Sequence, residues 1–158
     1  KEWQATRFDN GFGWITGPTQ YGGAGLTPAH ERAYNGVERD YRTPSLGVFQ
    51  IGLGMVAPTI LAHATDRAKD LYLRAMWRSD IVGCQLFSEP GAGSDLASLQ
   101  TKAERDGDEW VITGQKVWTS TAQSADLAML IARRAAPRGC ATNSPAAFPP
   151  GCANESTW

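Results

Sequence analysis

Ile81-Val82-Gly83-Cys84-Gln85-Leu86-Phe87 runs directly into Ser88-Glu89-Pro90-Gly91-Ala92-Gly93-Ser94-Asp95, and this junction decides the fold class. Before it, apolar residues recur at helical spacing. After it, short runs rich in β-branched and aromatic residues alternate with turn signals. A strand-like run that ends in glycine, proline, two hydroxyls and two carboxylates has two readings. It is a tight turn and nothing more, or it presents backbone N–H groups and hydroxyls to a ligand.

Upstream of the junction, residues 1 to about 80 read as mostly helical. Thr27-Pro28 supplies an N-cap and a first helical position for a helix reaching about Asp40. Pro44 to Met55 is a Gly-rich apolar segment, and Pro58 restarts a short helix. Thr65 caps a fourth, in which Ala68, Leu71, Tyr72, Ala75 and Met76 form one apolar stripe for core packing. The apolar stretch Leu46 to Ala62 is long enough to suggest a membrane span. Gln50, Gly47, Gly52, Gly54 and Pro58 interrupt it, and a buried core helix is the better reading.

Downstream, Thr101 to Arg105, the turn Asp106-Gly107 and Glu109 to Ile112 predict a hairpin. Thr113-Gly114 turns the chain into a strand over Lys116 to Thr119, and Asp126 to Arg133 reads as another. Helices first and an antiparallel meander second predict an α+β fold. From Ala135 to Trp158 there is no Val, Ile, Leu or Met, while four of the nine prolines and two of the three cysteines fall there. Such a tail cannot bury enough apolar surface to order itself. A linker, a flexible tail and a chain read out of frame all fit this composition.

Composition narrows the function classes. The 158 residues hold 42% hydrophobic and 20% charged side chains, with a formal net charge of −1. That is the profile of a soluble globular protein with no basic run, so nucleic acid is a poor partner. No metal-ligand spacing is present. Cys84 lies in an apolar run as a small hydrophobe, and the cysteine usage fits a reducing, cytoplasmic compartment. The first residue is Lys1 rather than methionine, and no basic stretch followed by an apolar run is present to read as a signal peptide.

On residue chemistry alone the plain turn at 88–95 outweighs a cofactor loop. No Gly-Lys-Ser/Thr follows it, and it opens no βαβ unit. Trp118-Thr119-Ser120 could stack on a flat ring and bond its edge, but core packing of the tryptophan is the simpler account.

Taken together, these stretches resemble the acyl-CoA dehydrogenase family. Cys84 to Asp95 and Gly114-Gln115-Lys116-Val117-Trp118-Thr119-Ser120 carry the resemblance. Gly13-Trp14, Pro18, Tyr21 to Gly25 and His63 to Leu73 support it, and it covers residues 1 to 133. It implies an N-terminal helical domain over 1–80, the start of an antiparallel β-barrel-like middle domain over 81–134, and an irregular tail over 135–158. The family's C-terminal helical bundle is expected to be absent. Loss of resemblance and apolar pattern at the same point favours a frame change or premature end at the tail.

The resemblance implies FAD as cofactor, with Phe87 and Ser88 lining the flavin and Ser88 bonded to its pyrimidine edge. Trp118 would pack on the ring, Ser120 would bond near the reactive nitrogen, and Ser94 would meet the pantetheine arm of an acyl-CoA substrate. The family reaction is α,β-dehydrogenation of an acyl-CoA thioester to a trans-2-enoyl-CoA, a step of fatty acid and lipid metabolism. Electron-transfer flavoprotein would be the electron acceptor and a homotetramer the intact assembly. The catalytic base is expected to be a glutamate of the absent bundle. Glu89 and Asp95 are expected to be solvated or backbone-bonding turn carboxylates, and this chain alone is expected to be inactive. Alternatives are a flavin oxidase or monooxygenase of the same fold, and a non-catalytic interaction protein.

Overall fold

The computed structural model describes residues 1–134 and has the mixed α+β character expected from the pattern change near Ile81. Two compact units divide the chain. One comprises Lys1–Gln85 with Thr121–Met129, the other Leu86–Ser120 with the described residues from Leu130 to Arg134. The expectations for the tail over 135–158 lie outside the described residues.

The first unit holds four α-helices: α1 (Glu2–Asp9), α2 (Pro28–Glu38), α3 (Ala57–His63) and α4 (Asp66–Trp77). Thr27 is extended and begins α2, with the Thr27 N–H donating to His30 Nδ1 at 3.4 Å. The Thr27 hydroxyl lies 2.8 Å from the same nitrogen. Thr65 caps α4 by accepting the Ala68 N–H at 3.3 Å.

Two helical expectations need correction. Pro58 stands in the first turn of the short helix α3, as expected, but that helix continues a preceding one instead of starting afresh. The chain is helical from Gln50 through a wide π turn at Gly52–Val56 into α3. A proline lacks its N–H and crowds the carbonyl four residues back, and the wider turn accommodates both. The Thr59 hydroxyl donates to the Met55 carbonyl at 2.8 Å. Within α4, Leu71 is 57% exposed, while Leu73 and Met76 are 0% and 1% exposed. The predicted stripe holds at Tyr72 and Met76, which join the core, and fails at Leu71, whose place on the core face Leu73 takes.

The core of this unit gathers Phe8, Trp14, Tyr21, Val56, Ala57, Leu73 and Met76, with Leu127 and Met129 packed against it. Trp14 and Trp77 stack with ring centroids 4.8 Å apart and planes 9° apart. Phe49, Leu53 and Val82 form a second cluster. The helical run within 46–62 buries only one face, through Phe49, Gly52, Leu53, Val56 and Ala57, so the expected fully buried core helix is a half-exposed one. No helix among the described residues is long and apolar enough to cross a membrane.

The strands are β1 (Gly83–Leu86), β2 (Lys102–Asp106), β3 (Glu109–Thr113), β4 (Leu127–Leu130) and β5 (Arg133–Arg134). They form two small sheets, β1-β4 and β3-β2-β5, and no closed barrel exists among the described residues. The predicted hairpin is present, with an antiparallel register from Lys102↔Thr113 to Asp106↔Glu109. Its loop is Gly107-Asp108, one residue later than expected, because the positive φ of 61° falls on Gly107.

Three strand expectations fail. Asp126 to Arg133 is not one strand, since β4 joins β1 and β5 joins β2. The layout is not a purely antiparallel meander either, because β5 runs parallel to β2, with Lys102 opposite Arg133 and Ala103 opposite Arg134. Lys116 to Thr119 is not a strand, because Trp118 sits at φ 55°, outside extended backbone.

Candidate functional site

The residues singled out at 87–95 and 114–120 all belong to the second unit. Glu89-Pro90-Gly91-Ala92 closes on itself. The Glu89 N–H donates to the Ala92 carbonyl at 2.8 Å, and the Ala92 N–H returns to the Glu89 carbonyl at 3.1 Å. A real tight turn therefore exists, and it buries Glu89 at 7% exposure while Gly91, Gly93, Ser94 and Asp95 stay exposed.

Glu89 organises this region. Its Oε2 accepts the Gln100 N–H at 2.5 Å, and its Oε1 accepts the Thr101 N–H and the Lys116 ammonium, each at 2.9 Å. The Lys116 and Glu89 side chains are only 7% and 5% exposed. The Thr101 side chain, the Gln100 N–H, the Lys116 ammonium and the Thr101 N–H favour the anion. They outweigh the cost of burial and hold the carboxyl at about 2. The expectation of a backbone-bonding carboxylate holds, but Glu89 is not solvated.

Lys116 reaches further. Its Nζ also donates to the Phe87 carbonyl at 2.9 Å, and the next residue's N–H, that of Val117, donates to the Ser88 carbonyl at 2.9 Å. Consecutive residues 116 and 117 thus grip the carbonyls of consecutive residues 87 and 88. The two stretches read separately from sequence are brought together here.

Trp118 follows this grip and is 91% exposed. Core packing, the simpler account, is therefore wrong for Trp118. Phe87 and Ser88 are half-buried, and Ser120 is exposed one turn on. Ser94 lies exposed beyond the Glu89–Ala92 turn. Gly114 is required by close approach, since a β-carbon there would lie 2.3 Å from the Thr101 hydroxyl oxygen. A recess of about 460 Å³ adjoins this region, lined by residues that include Glu89, Thr101 and Gly114.

The Glu89–Lys116 pair escaped the sequence reading. Its only signal was a lone lysine within Gln115-Lys116-Val117-Trp118 and a lone glutamate within the turn, 27 residues apart. Nothing in local spacing joins them. Among the described residues no group of three or more His, Cys, Asp or Glu side chains could hold a metal ion.

Comparison with known proteins gives this geometry a lineage. The acyl-CoA dehydrogenase middle domain family matches residues 84–147. Acyl-CoA dehydrogenase IpdE1 of Mycobacterium tuberculosis is 41% identical over 121 residues, covering 77% of this chain. Acyl-CoA dehydrogenase FadE34 of the same organism is 54% identical over 77 residues, covering 49%. The chain spans 30% of the first protein's length and 11% of the second's. The ChsE4-ChsE5 complex from Mycobacterium tuberculosis superposes with a TM-score of 0.69 at 36% identity, covering 85% of this chain and 34% of that one. With its two spaced motifs joined in space and these relatives alongside, the chain belongs to the acyl-CoA dehydrogenase family.

Proposed function

We propose that this chain is the N-terminal helical domain (1–80) and the first strands (81–134) of the barrel-like middle domain of an FAD-dependent acyl-CoA dehydrogenase. The whole enzyme would oxidise an acyl-CoA thioester to its trans-2-enoyl-CoA. Electron-transfer flavoprotein as acceptor and a homotetrameric assembly belong to the same proposal.

The observation that carries this reading is Trp118. A bulky side chain at φ 55° and 91% exposure covers nothing in its own unit, yet the Val117–Ser88 and Lys116–Phe87 bonds secure the backbone just before it. A flat indole held out in this way, beside half-buried Ser88, suits a planar ring that needs a stacking surface and an edge donor. FAD, when bound, supplies the hydride acceptor.

This chain's residues would bind and orient. Trp118 stacks on the isoalloxazine, Phe87 lines it, and Ser88 donates to its pyrimidine edge. Ser120 donates near its reactive nitrogen, and Ser94 meets the pantetheine arm of the substrate. Glu89 does not serve as the α-proton base. It is already engaged by three donors and held at about 2, so it has neither free lone pairs aimed at a substrate nor useful basicity. The base is assigned to a glutamate of the family's C-terminal bundle.

Titration of the purified protein with FAD, followed by quenching of flavin fluorescence, tests the reading. Saturable quenching is expected, and Trp118→Ala should weaken it by about tenfold, the worth of one aromatic stacking contact. Failure to quench, or equal affinity in Trp118→Ala, would overturn the assignment of this surface to the flavin.

A further inference from the structure

We propose that Glu89 and Lys116 are positioning residues whose buried ion pair sets the place of the Trp118 indole, and through it the affinity for flavin. The second half of this inference rests on the flavin reading above. The first half does not.

Three consecutive residues, Phe87, Ser88 and Glu89, bond to two consecutive residues, Lys116 and Val117. The same carboxylate reaches the Gln100 and Thr101 N–H groups just before β2. Three stretches of chain therefore meet at one charged pair. Two neighbouring carbonyls gripped by two neighbouring residues leave no freedom to slide the segments by one position.

The chemistry of the pair points to geometry rather than to stability. Burying two charges costs desolvation that their attraction barely offsets, and apolar residues of similar volume often serve a core equally well. What an apolar pair cannot do is direct an ammonium to the Phe87 carbonyl and a carboxylate to two backbone N–H groups at once. The beneficiary lies two residues beyond Lys116. Trp118 holds a left-handed backbone that a bulky residue keeps only when its surroundings determine it. Its side chain, exposed to solvent, cannot supply that determination, and the bonds at Lys116 and Val117 fix the chain directly before it.

The test labels the protein with 5-fluorotryptophan and identifies the Trp118 fluorine resonance by its loss in Trp118→Phe. Lys116→Met, Glu89→Gln and the double variant Glu89→Leu/Lys116→Met are then compared with the parent. The expected result is a shifted or multiplied Trp118 line in all three, with the remaining tryptophan lines in place. The double variant should recover thermal stability without recovering the line, which separates positioning from folding. FAD affinity should fall at least tenfold in step with the line.

A folded double variant with the parental Trp118 line would overturn the proposal. Should the single variants not fold, the double variant decides. Should that also fail, amide hydrogen exchange in the parent decides. The Val117 amide must then be protected together with those of Gln100 and Thr101, and free exchange at Val117 alone would overturn the proposal. A Trp118 line that depends on Lys116 in a protein that binds no FAD removes the flavin reading and leaves the positioning role standing.

Discussion

Gly52 and Gly83 meet backbone to backbone. A β-carbon added to Gly52 would lie 3.1 Å from the Gly83 nitrogen, and one added to Gly83 would lie 3.2 Å from the Gly52 α-carbon and 2.9 Å from the Met76 methyl. The π turn and the first residue of β1 can approach this closely only because neither carries a side chain. Gly83→Ala should therefore destabilise the protein by about 1–3 kcal/mol, the usual cost of overpacking a filled core. Chemical denaturation measures this, and a loss below about 0.5 kcal/mol would show that Met76 can move aside.

The face of α4 gives a paired prediction. Leu73→Ala removes a side chain with no exposure and should cost about 2–5 kcal/mol, whereas Leu71→Ala, at 57% exposure, should stay within about 0.5 kcal/mol. Urea denaturation of the two variants distinguishes the observed face from the stripe read from spacing. Equal losses would contradict the observed packing.

Acid should reveal Glu89. Its folded-state value of about 2 lies below the ordinary 4.5, so the unfolded chain takes up the proton first as pH falls. The stabilisation is complete above about pH 4.5 and is lost progressively towards pH 2. Denaturation midpoints measured across this window should fall in the parent. In Glu89→Gln that part of the pH dependence should be missing. Parallel curves for the two proteins would refute the assignment.

Trp118 should trade stability against binding. Trp118→Gly relieves a left-handed backbone at φ 55° but loosens the unfolded chain, so the variant should be at least as stable, by up to about 1 kcal/mol. The same variant should lose flavin quenching. Thermal unfolding and flavin titration on one preparation read both effects, and a clear loss of stability would mean that the indole packs on something in its own chain.

Cys84 should be silent to reagents. It is 3% exposed, and burial pushes its thiol up from the ordinary range. With Cys140 and Cys152 replaced by serine, iodoacetamide should label the protein only as it unfolds. Rapid labelling under native conditions would contradict the burial.

Much of the architecture follows from short-range chemistry. Thr27-Pro28 and Thr65 begin helices because a hydroxyl one position outside a helix meets the orphan groups of its first turn. The hairpin over 102–113 follows from the Asp106-Gly107 turn signal and the β-prone run Trp110 to Thr113, which pairs with the strand-poor Lys102–Asp106. These were legible because every atom involved lies within a few residues. The wider helical turn before Pro58 was less legible, since a proline signals a break without saying how the chain accommodates it.

The candidate site divides the same way. Its two stretches, 84–95 and 114–120, were recognisable in sequence, because residue order is what a family preserves and what a reader of one chain can see. Tertiary structure alone decided that Glu89 turns inward to Lys116, that Lys116 to Thr119 is not a strand, and that β5 lies parallel to β2. Each depends on a partner tens of residues away, chosen by which buried charge must be neutralised and which backbone group must be bonded. Trp118 shows the difference most directly. Its letters read as an ordinary core tryptophan, and only the fold shows its ring turned out to solvent directly after two residues bonded to Phe87 and Ser88.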